Sequence, residues 1–135
     1  GIAETDPALD VEGWDTASKI VILANTVMDA GLTMDQMDVS GMTDITTEQI
    51  RSAKQRSKVI KLIGEASRVN GEVKVSVAPM ELDGDHPLAR VHDGNKGIHF
   101  ETDTMGTLTV IGGKSDPKAA AAAALKDVIT LVRRT

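Results

Sequence analysis

A tight turn between two strand-like segments constrains the fold more than any other feature of the sequence. Residues 59–69 read VIKLIGEASRV, Asn70-Gly71 follows, and residues 72–78 read EVKVSVA. Asn-Gly is the strongest two-residue hairpin signal, because both central residues of that turn need positive φ. The second segment alternates strictly and is typical of a half-buried antiparallel strand. Its valines share one side: Val73, Val75 and Val77.

Two segments that precede this hairpin in the sequence have helical patterns. Apolar residues recur at three- and four-residue spacing between residues 15 and 30, which predicts a helix that Gly31 ends as its C-cap glycine. Thr46 precedes Gln49 by three residues, as in a capping box, and predicts a second helix that runs to about Arg56.

The C-terminal segment predicts a third helix. Asp116 is a good N-cap, Pro117 suits the first helical position, and the alanine run 119–124 has the highest helix propensity. An apolar stripe follows on this helix, formed by Leu125, Val128, Ile129 and Val132.

The order of the elements predicts the fold class. Short strands are expected near residues 37–41, at 97–102 and at 107–111, whereas Pro79 should end the valine strand and open a loop over 80–95. The sequence therefore predicts an α+β fold with a mostly antiparallel or mixed sheet and helices packed on one face. A second subunit is the natural cover for the valine side.

Composition narrows the possible partners and surroundings. A chain of 135 residues favours one domain. Its net charge of −5, with no stripe of basic residues, argues against a nucleic-acid partner. The absence of cysteine excludes disulfides and thiolate chemistry and suits a reducing, cytoplasmic location. No apolar run approaches the ~20 residues that span a bilayer, so no membrane association is expected. Because the chain begins with Gly1, we expect it to be a piece of a longer protein.

The chain begins with a cluster of acidic residues, and a single basic residue, Lys19, follows the cluster. It could be a charged helix entry, where carboxylates meet the positive end of the helix dipole and Asp15–Lys19 is an i,i+4 pair. It could supply oxygen ligands to a divalent metal, although no EF-hand spacing is present. It could also hold a substrate ammonium, with Lys19 handling a proton or a carbonyl oxygen. The cluster consists of Glu4, Asp6, Asp10, Glu12 and Asp15.

Other residues give weaker signals. His86, His92 and His99 have no metal-ligand spacing, so structural roles and no metal site are expected. Gly112-Gly113 could approach a phosphate at a helix start or could form a plain turn. The chain contains neither a GxGxxG motif nor a P-loop, so it offers no dinucleotide-binding motif of its own.

The first nineteen residues follow the pattern G-x-x-E-x-D-P-x-x-D-x-x-G-x-D-x-x-x-K, which resembles the signature of homoserine dehydrogenase. The likeness continues to the final alanine-rich helix and covers essentially the whole chain. Its further matching positions are Ile45-Thr46, Ile60-Lys61-Leu62, His86-Pro87-Leu88-Ala89, Asn95, Thr102-Asp103-Thr104, Gly106, Leu125 and Asp127.

The resemblance implies an activity and roles for individual residues. Enzymes of this family interconvert aspartate semialdehyde and homoserine with NAD(H) or NADP(H), in threonine and methionine biosynthesis. By this likeness, Glu4 and Asp10 would bind the substrate and Lys19 would be the general acid and base. Asp15 would orient Lys19 and the substrate, and the Gly112-Gly113 turn would contact the cofactor.

The resemblance also implies a layout. Residues 1–111 would form the substrate-binding, catalytic and dimerisation region, and residues 112–135 the turn and helix that pack on a nucleotide-binding domain. That domain and a second lysine of the family are absent here, and the turn reads Gly112-Gly113-Lys114-Ser115 instead of G-x-G-A-G. The resemblance implies a homodimer or higher homo-oligomer, and NAD or NADP as the cofactor of the full enzyme. Because the nucleotide-binding domain is missing, we expect this chain alone to bind no cofactor and to catalyse no hydride transfer.

Two alternatives to this interpretation stay open at the level of sequence. The chain could be a free-standing dimeric module that binds an amino acid or another protein. It could also be the substrate domain of an oxidoreductase that acts on a different semialdehyde or hydroxy acid.

Overall fold

The computed structural model describes residues 7–92, 94–113 and 117–133. These residues form an α+β structure that divides after Gly84 into two compact units. The helices are α1 (Ala8–Val11), α2 (Trp14–Met28), α3 (Thr47–Gln55) and α4 (Pro117–Arg133). The strands are β1 (Asp38–Val39), β2 (Lys58–Val69), β3 (Glu72–Asp83), β4 (Lys96–Thr102) and β5 (Gly106–Gly112). The α+β fold class predicted from sequence is confirmed.

The first unit is built on a three-stranded sheet with the order β1-β3-β2. Strands β2 and β3 pair in antiparallel register from Lys58 opposite Asp83 to Val69 opposite Glu72. Asn70 and Gly71 join them with φ values of 52° and 88°, so the predicted hairpin turn is confirmed. Strand β1 pairs with β3 in parallel and makes the sheet mixed.

Pro79 does not end the valine strand, and this prediction was wrong. Strand β3 continues through Pro79, which lies opposite Leu62, to Asp83. The carbonyl of Val77 accepts a hydrogen bond from the Ser40 N–H (2.7 Å), so the backbone groups of Val77 face the β1 side. Pro79, two residues further, faces the same side, beyond the end of β1. No bond to β2 needs the N–H that proline lacks.

The valine side of the hairpin is covered by helices of the same chain. Val75 and Val77 are buried, and Val77 is only 1% exposed. A Cβ added at Gly64, which pairs with Val77, would lie 3.1 Å from Ile20 Cβ and from Thr16 Cγ2, so α2 crosses the sheet on this face. Helix α2 of the same chain therefore covers the valine side, where the sequence predicted a second subunit. The predicted packing of helices on one face is confirmed.

The predicted helices are present with small differences at their ends. Helix α2 buries Ala17, Val21 and Ala24, and it ends at Met28 with Asp29 in the left-handed C-cap position that the sequence assigned to Gly31. Asn25 then closes the turn after α2, because its side-chain amide bonds both the N–H and the carbonyl of Leu32 (2.8 and 2.9 Å).

Helix α3 has the capping box that the sequence predicts. The Gln49 N–H donates to Thr46 Oγ1 (3.2 Å), and Gln49 Oε1 accepts from the Thr46 N–H (2.7 Å). At the other end, Arg56 Nη2 pairs with the carboxylate of Glu81 on β3 at 2.9 Å. Helix α3 therefore lies on the same side of the sheet as α2.

The second unit contains the antiparallel hairpin β4–β5 and helix α4. One side of the hairpin meets the short 3-10 turn Pro87–Arg90, because a Cβ at Gly97 would lie 2.8 Å from Leu88 Cδ2. Within the described residues the other side keeps partly exposed apolar side chains, which are Ile98, Phe100, Leu108 and Val110. The strands of the described residues thus form two separate sheets, one of three strands and one of two strands.

Helix α4 is an exposed helix with an apolar stripe, as predicted. The side chains of Leu125, Val128, Ile129 and Val132 are exposed. The expected N-cap, Asp116, lies outside the described residues. Of the helices in the described residues, none is both long and apolar enough to cross a bilayer. The functional division expected at residues 111/112 stays a prediction.

Candidate active site

The candidate site is built where the short helix α1 meets α2. Gly13 joins the two helices and is the N-cap of α2, with φ 92° and ψ 1°. A Cβ at this position would lie 3.2 Å from Val77 Cγ1 and 3.3 Å from Val39 Cγ1. Both the left-handed conformation and the tight packing on the sheet therefore require glycine here. This junction therefore connects α1, which carries Asp10, to the first turn of α2, which carries Asp15.

Asp15 and Lys19 form an ion pair on the first turns of α2. They lie on the side of the helix opposite the buried residues Ala17, Val21 and Ala24. Their side chains are 42% and 57% exposed, respectively, so both can be reached by a small molecule. The structure thus brings together the acid and the base that the sequence singled out.

Asp10 and Glu4 were the predicted substrate-binding residues. Asp10 is exposed on α1, three residues before Gly13, and its carboxylate makes no hydrogen bond or ion pair with another described residue. Glu4 lies outside the described residues, as does Asp6. Asp10 is therefore available for an external cation, and the described part of the site contains Asp10, Asp15 and Lys19.

The metal alternative involves the whole acidic cluster, of which Glu4 and Asp6 lie outside the described residues. Among residues 7–92, 94–113 and 117–133, no group of three or more histidine, aspartate or glutamate side chains is arranged to hold an ion. His86 Nδ1 instead accepts from the Leu88 N–H (3.1 Å), and His99 Nδ1 pairs with Thr109 Oγ1 (2.7 Å). Both histidines hold local structure in the second unit.

The Gly112-Gly113 turn was the predicted cofactor contact. Both residues have positive φ, 157° and 73°, and a Cβ added to either would meet no atom of another described residue within 4 Å. The strand before it, β5, pairs with β4 in antiparallel orientation, so within the described residues this turn is not part of the parallel β–α–β unit that binds a dinucleotide. The cofactor contact at Gly112-Gly113 therefore stays a prediction.

A cleft of about 470 Å³ lies elsewhere in the first unit, between α3 and the sheet. Its polar lining includes the Arg56–Glu81 ion pair. None of the predicted site residues lines it, so the cleft is not part of the candidate site.

Two glycines outside the opening motif support the site and were not identified from the sequence. Gly64 lets β2 approach the helix that carries Lys19, and Gly41 lets the segment after β1 approach α1. Each lies far from the site in sequence, and neither has a positive φ. A single sequence gives no local signal for such residues, because only the close approach of another element requires glycine there.

Comparison with known proteins decides the family. Residues 1–129 match the family model for homoserine dehydrogenase. The chain belongs to the homoserine dehydrogenase family. The resemblance noted in the opening motif is thereby confirmed over nearly the whole chain.

Two curated relatives illustrate the match. The chain is 38% identical to the NAD(+)-dependent homoserine dehydrogenase of Pseudomonas canavaninivorans, covering 96% of this chain and 37% of that protein. It is 40% identical to the homoserine dehydrogenase of Methanocaldococcus jannaschii, covering 100% of this chain and 39% of that protein. The chain thus spans less than two fifths of the length of these relatives.

Solved structures agree with the fold. Homoserine dehydrogenase of S. aureus superposes with a TM-score of 0.88 at 32% identity, over 96% of this chain and 32% of that one. The enzyme from Thermoplasma acidophilum superposes with a TM-score of 0.78 at 26% identity, over 98% of this chain and 39% of that one. The arrangement of helices and mixed sheets is therefore that of the homoserine dehydrogenase family.

Proposed function

We propose that this chain forms the substrate side of the active site of a homoserine dehydrogenase. The whole enzyme would interconvert aspartate semialdehyde and homoserine, in threonine and methionine biosynthesis. The observation that supports this most directly is the exposed Asp15–Lys19 ion pair directly after the Gly13 junction. A family motif and an accessible acid–base pair coincide there.

Lys19 is the proposed general acid and base. Its ammonium has three N–H donors, of which Asp15 takes one and leaves two for a substrate oxygen. When the aldehyde is reduced, Lys19 Nζ donates a proton to the oxygen as negative charge develops on it, which leaves a neutral amine. In the reverse direction that amine accepts the hydroxyl proton. Asp15 keeps Lys19 aimed at the substrate.

The carboxylates of the cluster are proposed to hold the amino acid part of the substrate. The free carboxylate of Asp10, together with Glu4, would accept charge-assisted hydrogen bonds from the substrate ammonium. In the whole enzyme NAD or NADP supplies or takes the hydride, and the Gly112-Gly113 turn is the proposed contact point on this chain. We place the enzyme in the cytoplasm, which the absence of cysteine supports.

The whole enzyme is also proposed to be a homodimer or higher homo-oligomer. The valine side no longer supports this, because α2 covers it. Support comes instead from the apolar side chains of the second unit that are exposed on the hairpin, such as Leu108 and Val110.

The test is kinetic and uses the full-length enzyme that carries this chain. Lys19→Ala should lower kcat for homoserine oxidation by roughly 10²- to 10⁴-fold, the usual contribution of a general acid or base. The matched control is Lys54→Ala, which removes an exposed lysine from the last turn of α3 and should leave kcat unchanged. Unchanged kcat in Lys19→Ala would show that Lys19 is not the proton donor.

A second arm tests the purified 135-residue chain alone. We expect no turnover of homoserine with either NAD or NADP, because the described residues contain no dinucleotide-binding unit. A robust cofactor-dependent rate from this chain would contradict that part of the proposal.

A further inference from the structure

The segment Ser40, Gly41 and Met42 connects the sheet to the end of α1; we refer to it as the 40–42 segment. The Ser40 N–H donates to the Val77 carbonyl on β3 (2.7 Å). Two residues later, the Met42 N–H donates to the Val11 carbonyl at the end of α1 (2.7 Å). These two hydrogen bonds connect helix α1 to β3, the central strand of the sheet, through only three residues.

Gly41 sits at the closest point of this contact. A Cβ added there would lie 2.6 Å from Glu12 Cα, 2.6 Å from the Val11 oxygen and 2.8 Å from the Glu12 carbonyl carbon. These distances are well inside van der Waals contact, and the partners are backbone atoms that cannot rotate away. Since Gly41 does not have a positive φ, its conformation would admit other residues. The space alone requires glycine.

Helix α1 depends on such contacts for its position. It has four residues, none of them buried, and no side-chain cap. A helix this short is unstable by itself in water, since its few backbone hydrogen bonds do not offset the cost of nucleation. Helix α2 is held separately, because Thr16 and Ile20 pack on β2 at Gly64. A disturbance at Gly41 should therefore move α1 more than α2.

From this geometry we propose that Gly41 is a positioning residue for substrate binding. Its missing side chain allows the 40–42 segment to set the position of α1, and thereby of the Asp10 carboxylate on that helix. This inference rests on the proposed role of Asp10 in binding the substrate ammonium. Gly41, which lies 31 residues after Asp10 in the sequence, would thus contribute to the affinity for homoserine.

The experiment compares Gly41→Ala with Gly84→Ala in the full-length enzyme. Gly84 provides a matched control, because its added Cβ would lie 2.8 Å from another backbone atom, the Ser57 oxygen, in the same unit. We expect Gly41→Ala to raise KM for homoserine about tenfold or more and to change kcat by less than about threefold, as a displaced binding group does. Gly84→Ala should leave KM for homoserine unchanged.

Hydrogen exchange of the same enzymes gives a readout that does not depend on activity. Gly41→Ala should speed exchange in peptides covering residues 8–14, and Gly84→Ala should not. Equal KM values for the two variants, or unchanged exchange at residues 8–14, would overturn the inference.

Asp10→Asn separates this inference from the proposed function. If Asp10→Asn raises KM for homoserine and Gly41→Ala does not, only the role of Gly41 is wrong. If Asp10→Asn leaves KM unchanged, the role of Asp10 is wrong and that of Gly41 falls with it.

The wild-type enzyme provides a measurement if Gly41→Ala does not fold. Saturating homoserine should slow exchange at residues 8–14 and 40–42 together, because the two segments are bonded to each other. Slower exchange at residues 8–14 alone would contradict the inference.

Discussion

Replacing Gly13 with alanine tests how the junction of the site is held. Two separate costs arise at this position. The first is the left-handed backbone conformation, with φ 92°, and the second is the contact of an added Cβ with Val77 and Val39 at 3.2 and 3.3 Å. Gly71 has nearly the same φ, 88°, and open space around its Cβ. The variant Gly71→Ala therefore measures the conformational cost alone.

The expected magnitudes follow from these contacts. A left-handed conformation costs a non-glycine residue about 1–2 kcal/mol. Loss of glycine's freedom in the unfolded chain returns about 0.4–1 kcal/mol in both variants. Overpacking a tight site costs about 1–3 kcal/mol more, and only Gly13→Ala incurs it. Gly13→Ala should thus lower the free energy of unfolding by about 1–3 kcal/mol more than Gly71→Ala.

The assay is urea unfolding of the purified 135-residue chain and of both variants. The midpoint should fall in the order wild type, Gly71→Ala, Gly13→Ala, with the slope of the transition unchanged. Equal midpoints for the two variants would refute the reasoning, because the packing of Gly13 on the sheet would then contribute nothing.

Two further predictions concern the core and the assembly. Val77→Ala, at a position that is 1% exposed, should lower the free energy of unfolding by about 2–3 kcal/mol, because two buried methyl groups are lost and a cavity forms. Val69→Ala, on the same hairpin but 42% exposed, should change it by less than about 0.5 kcal/mol; equal effects in urea unfolding would contradict the assigned core. The full-length enzyme should sediment at twice its chain mass or more, and a monomer at high concentration would exclude the proposed homo-oligomer.

The parts of the fold that local chemistry controls could be predicted from the sequence. Asn70-Gly71 defines its hairpin because the two residues themselves tolerate the positive φ of the turn. Thr46 and Gln49 define the start of α3 because each satisfies the other's backbone N–H group. The Asp15–Lys19 pair follows from helical spacing alone.

Other features depend on which elements meet, and the sequence could not reveal them. Pro79 stays inside β3 because β1 is short and ends before reaching it. The valine side needs no partner subunit because α2 lies across it. The alternating pattern of one strand cannot predict which element covers its buried side. A period-2 pattern says that a side is buried, but not by what.

The sequence by itself determined the hairpin, the three long helices and the family motif with its acid and base. It did so because each depends on residues close together in the chain. Only the tertiary structure decided that Gly13, Gly41 and Gly64 lie at close contacts with or beside the helices of the candidate site, since folding brings the atoms around an added Cβ to within about 3 Å. The motif contains the candidate site residues, and these close contacts set where the helices that carry them pack.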